Sequence, residues 1–76
     1  MKEKQQNKNV GEVIFFDNEQ GYGTIITKKE ERFLFMYNSL PIEYGNFKVP
    51  QIGQKVKFDI SEEEKENLAI NIEFME

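Results

Sequence analysis

The sequence predicts an all-β fold, a single five-stranded antiparallel barrel. Five short runs of strand-forming residues alternate with turn signals, and no long helical periodicity interrupts them. A chain of 76 residues also has little material with which to cover an exposed sheet edge. Closing the sheet on itself removes that edge.

The first run is Glu12-Val13-Ile14-Phe15-Phe16, ended by the turn cluster Asp17-Asn18-Glu19-Gln20-Gly21,. The second begins Tyr22-Gly23-Thr24-Ile25-Ile26-Thr27 and leads into the charged loop Lys28-Lys29-Glu30-Glu31. The third, Arg32-Phe33-Leu34-Phe35-Met36-Tyr37, is densely aromatic and aliphatic. Residues 38–52 carry Pro41, Gly45 and Pro50 and are expected to be irregular rather than helical,. Gly53 leads into a fourth run that alternates strictly, with Val56, Phe58 and Ile60 inward and Lys55, Lys57 and Asp59 outward,. The acidic stretch 61–66 is expected to be a mobile loop, with a short helical turn an option given its good helix formers,. The fifth run puts Leu68, Ile70, Ile72 and Phe74 on one face. The expected strands are therefore 11–17, 22–28, 32–37, 54–61 and 67–74. Residues 1–9 are polar after Met1 and are expected to form a flexible tail, leaving 10–76 as the one domain,. The expected core is Val13, Ile25, Phe33, Phe35, Val56, Phe58, Ile60, Ile70 and Ile72,.

Composition narrows the chemistry. The chain has no Cys and no His, which excludes disulfides, Cys/His zinc sites and a thiol nucleophile,. The acidic residues lack EF-hand spacing, and no nucleophile–base arrangement is visible, so neither a metal, a cofactor nor an enzymatic activity is expected,. No apolar run reaches the roughly 20 residues of a membrane span, and the polar N-terminus lacks a secretory apolar segment. A cytoplasmic location without membrane contact is the expectation. The net charge of -4 is uneven: +2 over residues 1–8, -1 over 9–60 and -5 over 61–76. A broad basic footprint for nucleic acid is absent, so the field close to a binding face matters more than the total.

Three successive strands are apolar on both faces. Period two places Val13 and Phe15 opposite Ile14 and Phe16, Gly23 and Ile25 opposite Tyr22, Thr24 and Ile26, and Phe33, Phe35 and Tyr37 opposite Leu34 and Met36,. A small barrel has one interior, so the remaining apolar side chains must be covered by the 38–52 segment, by a second subunit, or by a ligand. Aromatic patches on such barrels stack the bases of single strands at about 1–3 kcal/mol each.

The residues also carry a family resemblance. Gly11 to Ile25 resembles the opening of a cold-shock domain, which reads Gly-x-Val-Lys-Trp-Phe-Asn, three residues, then Gly-Phe-Gly-Phe-Ile. Gly11, Val13, Phe16, Gly21, Gly23 and Ile25 match identically. Phe33 to Tyr37 stands where that family has Val-Phe-Val-His-Phe. Phe47-Lys48, the Gly53 to Phe58 strand and Ala69-x-Asn71-Ile72 are similar to its later segments. The order and spacing of all these pieces imply the OB-fold barrel of the bacterial cold-shock family.

The resemblance implies binding of single-stranded RNA or DNA, in a chaperone-like or regulatory role, through Phe15, Tyr22, Leu34, Met36, Tyr37, Phe47 and Lys48. Phe15, Tyr22, Tyr37 and Phe47 keep a ring at a family stacking position, whereas Thr24, Leu34 and Met36 replace two Phe and a His. Family Lys positions are Ile14 and Gln20, the Asn after the first strand is Asp17, and the Gly-Pro before the last is Glu66-Asn67. Pyrimidine-rich partners and a monomer are expected, and fewer rings and fewer cations imply binding weaker than a typical member's. The competing expectation is a protein-interaction or dimer module that reuses the same face. Cations among Lys28, Lys29, Arg32, Lys48, Lys55 and Lys57 at the patch edge would favour nucleic acid.

Overall fold

A computed structural model describes residues 9–62 and 67–75. Residues 1–8 of the expected tail and residues 63–66 of the expected acidic loop lie outside the described residues, whereas Asn9, also expected in the tail, belongs to the first strand and pairs with Phe58. The strands are β1 (Asn9–Asp17), β2 (Tyr22–Ile26), β3 (Arg32–Met36), β4 (Ile42–Glu43), β5 (Asn46–Phe47), β6 (Lys55–Ile60) and β7 (Leu68–Phe74), with one 3-10 turn at Tyr37–Ser39. Five of them close a barrel in the order β1-β2-β3-β7-β6, and β4 and β5 form a separate hairpin. The five-stranded all-β barrel is thus the one expected. Four of its pairings are antiparallel, and the closing β3–β7 pair is parallel, with Leu34 beside Leu68 and Phe35 beside Ala69.

Turn chemistry explains the sharp β1–β2 connection. The Asp17 carboxylate accepts hydrogen bonds from the backbone N–H of Glu19 at 3.0 Å and of Gln20 at 3.1 Å. Gly21 closes the turn at φ +77°, a conformation that costs glycine little,. The 38–52 segment is mostly irregular as expected, but its centre is the β4–β5 hairpin, in which Ile42 faces Phe47 and Glu43 faces Asn46.

The core comprises Val13, Ile25, Phe33, Phe35, Leu40, Val56, Phe58, Ala69 and Ile72. The Phe35 ring stacks in parallel on Phe16 at 5.7 Å, and Phe33 leans on Phe58 at 5.1 Å. Gly23 exists to admit this packing: a methyl group there would stand 2.5 Å from the Phe35 ring and 2.5 Å from the Phe15 carbonyl oxygen.

Two β-bulges overturn parts of the period-two assignment. In β1 the register moves from Val13↔Ile25 to Phe15↔Thr24, leaving Ile14 as the extra residue,. The strand's phase inverts there, so Phe15 turns outward, away from Val13, and Phe16 turns toward the core. In β7 the two residues between Ile70 and Glu73, Asn71 and Ile72, oppose the single residue Phe58 between Lys57 and Asp59 on β6. Asn71 takes the left-handed conformation at φ +54°, and its amide donates to Asp59 Oδ2 at 3.2 Å. Ala69 and Ile72 therefore both face inward, and Ile70 is only half-buried. Ile60, opposite Ala69 at the strand end, is 41 % exposed and is not core either. Tyr37 leaves the Phe33–Phe35 face because β3 ends at Met36 and the chain enters the 3-10 turn. That turn delivers Leu40 to the core, a burial that alternation did not indicate.

Gly23→Ala is expected to destabilise the domain by about 1–3 kcal/mol through overpacking against Phe35, read as a lowered urea midpoint at unchanged slope. A midpoint equal to the parent's would contradict the packing described.

Candidate nucleic-acid interface

The outward side chains of β1, β2 and β3 form three cross-strand rows. Asp17, Tyr22 and Met36 make the first, Phe15, Thr24 and Leu34 the second, and Glu12, Ile26 and Arg32 the third. Each is outward because its neighbours in sequence, Val13, Gly23, Ile25, Phe33 and Phe35, fill the barrel. The bulge at Ile14 is what brings Phe15 onto this surface.

Two ring pairs mark the face. Phe15 and Tyr22 lie 5.7 Å apart with planes tilted by 54°. Tyr37 and Phe47 meet edge to face at 5.1 Å and 88°. Met36 joins the pairs, being the cross-strand partner of Tyr22 and the sequence neighbour of Tyr37. The Tyr37 ring lies over Gly21, close enough that a methyl group on Gly21 would approach it to 3.0 Å. Phe15, Met36, Tyr37 and Phe47 are each between 38 % and 48 % exposed. Tyr22 and Leu34 are half-buried between them. Six of the seven sequence-derived site residues are thus placed on or beside one face: Phe15, Tyr22, Leu34, Met36, Tyr37 and Phe47.

Lys48 is the seventh. Its ammonium stands 3.4 Å from the Glu43 carboxylate and 5.1 Å from the centre of the Phe74 ring. It is therefore engaged at the hairpin base and the end of β7, beside Phe47 in sequence.

The cations that border the face come from other positions. Lys55 and Lys57 point outward from β6, next to Glu12 and Val10 of β1, and Arg32 ends the third row. Lys55 forms a loose ion pair with Glu12 at 3.9 Å, a solvent-exposed contact of little energetic weight. Lys28 and Lys29 sit in the β2–β3 loop beyond that row. The Asp17 carboxylate, in the first row, accepts both N–H groups of its own turn through Oδ1. No group of His, Cys, Asp or Glu among the described residues could hold a metal ion. No helix among them is long and apolar enough to cross a membrane.

A closed five-stranded barrel with rings outward on β1, β2, the turn after β3 and the docked hairpin, and with cations on the adjoining strands, has the architecture of a nucleic-acid-binding domain of the OB class. The model of the "Cold-shock" DNA-binding domain matches residues 9–75. A cold shock-like protein of Thermotoga maritima is 39 % identical over 66 residues, which cover 87 % of this chain and 97 % of that protein. The chain belongs to the cold-shock domain family, whose members bind nucleic acid and are not enzymes.

The edge contact between Tyr37 and Phe47 docks the hairpin on the barrel. Such ring pairs contribute about 0.5–1.5 kcal/mol, so Tyr37→Ala should speed amide exchange at Lys48, whose N–H bonds to the Pro41 carbonyl at 2.7 Å, by roughly 2- to 10-fold. Exchange at Ile25, inside the barrel, should rise far less. Equal acceleration at both sites would mean that Tyr37 supports the whole fold.

Proposed function

We propose that the chain binds pyrimidine-rich single-stranded RNA or DNA across the outer face of β1, β2 and β3, in a chaperone-like or regulatory role in the cytoplasm. Phe15, Tyr22, Tyr37 and Phe47 stack bases. Leu34 and Met36 give apolar support between them, and Thr24 leaves a gap where no base is held. Arg32, Lys55 and Lys57 neutralise phosphates along the margins, and Lys48 joins them by exchanging Glu43 for a phosphate oxygen. The single observation that carries this proposal is the two ring pairs, Phe15–Tyr22 and Tyr37–Phe47, in which three rings are exposed and Tyr22 is half-buried, with Arg32, Lys55 and Lys57 outward on the adjoining strand positions. A monomer suffices, since every group named belongs to one chain. A self-association surface would have no comparable use for the basic margin, which favours nucleic acid over a dimer module.

Affinity is expected to be modest. Each missing ring removes about 1–3 kcal/mol of stacking. With only three or four phosphates neutralised, log K should fall with log salt at a slope of about -2 to -3.

The test is a titration of isotope-labelled protein with a short oligothymidine or oligouridine at low salt, followed by amide shifts. Shifts should concentrate on β1, β2, β3 and the hairpin, and Tyr22→Ala should weaken binding by about 1–3 kcal/mol with the fold intact. Unmoved amides at about millimolar oligonucleotide, the weak limit even of non-specific nucleic-acid binding, would overturn the proposal. A concentration-dependent dimer through the same face would then install the protein-interaction alternative.

A further inference from the structure

The β4–β5 hairpin turns through Tyr44 and Gly45, both with positive φ, +55° and +81°. Two-residue turns of this kind suit strand twist and favour Asn-Gly or Asp-Gly, because both central residues must be left-handed. Gly45 meets that requirement. Tyr44 does not: a bulky side chain in the left-handed region is an outlier with an energetic cost. The ring obtains no packing in return, as Tyr44 is 93 % exposed, the highest value among the exposed large apolar residues. Around the neighbouring Gly45, nothing approaches within 4 Å of where a methyl group would stand. Neither propensity nor burial accounts for an aromatic residue at this tip.

Its position does. Phe47, half of the Tyr37–Phe47 pair, faces Ile42 across the hairpin, and Ile42 is 66 % exposed. Tyr44 is the first turn residue, directly after Glu43, and so stands at the tip of the hairpin whose strands carry the Ile42–Phe47 pair. Exposed apolar side chains therefore recur along the hairpin, from Phe47 against Tyr37, through Ile42, to Tyr44 at the tip. Lys48 stands at the base of the hairpin, paired with Glu43 across from Asn46.

We infer that Tyr44 is an additional base-stacking site, which takes a nucleotide of the bound single strand after that strand has left the barrel face. This inference rests on the proposed binding face. The hairpin projects the ring from a turn that holds it away from the barrel, so the phenol can stack on any base, each having a π-face. Tyr44 extends the length of strand engaged rather than its sequence, and offsets part of the stacking lost at Thr24, Leu34 and Met36.

The variant that isolates the ring is Tyr44→Asn, since Asn tolerates the left-handed turn and leaves the hairpin intact. Tyr44→Phe keeps the ring. Binding is measured for oligothymidines of about four and about ten nucleotides, within the range a single OB domain covers. For the longer strand, Tyr44→Asn should bind about tenfold more weakly, and Tyr44→Phe should bind as the parent does. The shorter strand should bind all three proteins alike, with the same amide shifts on β1, β2 and β3. The thermal midpoint of Tyr44→Asn should be unchanged or higher. Parent-like binding of the longer strand by Tyr44→Asn, with the barrel face still shifting, would overturn the inference and leave the proposed function standing. No binding of either strand by the parent would overturn both. Loss of a concentration-dependent dimer in Tyr44→Asn, with oligonucleotide binding unaffected, would overturn it in favour of a second copy of the chain as the occupant.

Discussion

The close approach of the Phe35 ring to the bare backbone of Gly23 sets how much side chain the barrel can hold. With that ring in place, stacked on Phe16 and surrounded by Val13, Ile25, Val56 and Phe58, the interior is full. Every other large apolar group on β1, β2 and β3 has to lie outside. Phe15, Tyr22, Leu34 and Met36 are therefore exposed or half-exposed as a consequence of closure, and their alignment across three strands follows from the pairing register. A chain of this size has a thin core, so filling it with Phe33 and Phe35 secures the scaffold while the outer face remains available.

The electrostatics of the face differ from those of the chain. The net charge of -4 comes largely from the C-terminal residues, whereas Arg32, Lys55 and Lys57 border the ring-bearing strands. Two acidic groups adjoin them: Glu12, loosely paired with Lys55, and Glu73, the cross-strand neighbour of Lys57. Stacking is thus the larger contribution to be expected of this surface, and phosphate pairing the smaller. That balance makes sequence tolerance and a shallow salt dependence natural partners.

Most of the fold was legible because alternation holds over β2, β3 and β6 and the glycine positions and turn chemistry mark the connections between the strands. The identity of the face was legible through residues that share spacing with a known family. What alternation could not reveal are the two bulges. An extra residue inverts every side chain beyond it, so Phe15 lies opposite Val13 rather than on its face as alternation has it, and Ile70 was displaced from the core in favour of Ala69. The only local signal was Asn71, a residue type that accepts positive φ,. Leu40 and the docked hairpin were equally hidden, since both depend on a 3-10 turn and a long-range ring contact between Tyr37 and Phe47. Lys48 adjoins a ring in sequence, but its long side chain reaches Glu43 and Phe74, a choice set by tertiary neighbours alone.

The central claim is that bases stack on rings displaced outward by closure of the barrel. The most direct measurement is of intermolecular nuclear Overhauser effects between aromatic side-chain protons and the base protons of a bound oligothymidine. Cross-peaks from Phe15, Tyr22, Tyr37 and Phe47 to base protons, with none from Phe33, Phe35 or Phe58, are the result predicted. Base contacts confined to the opposite side of the barrel, or contacts with sugar protons alone, would contradict it.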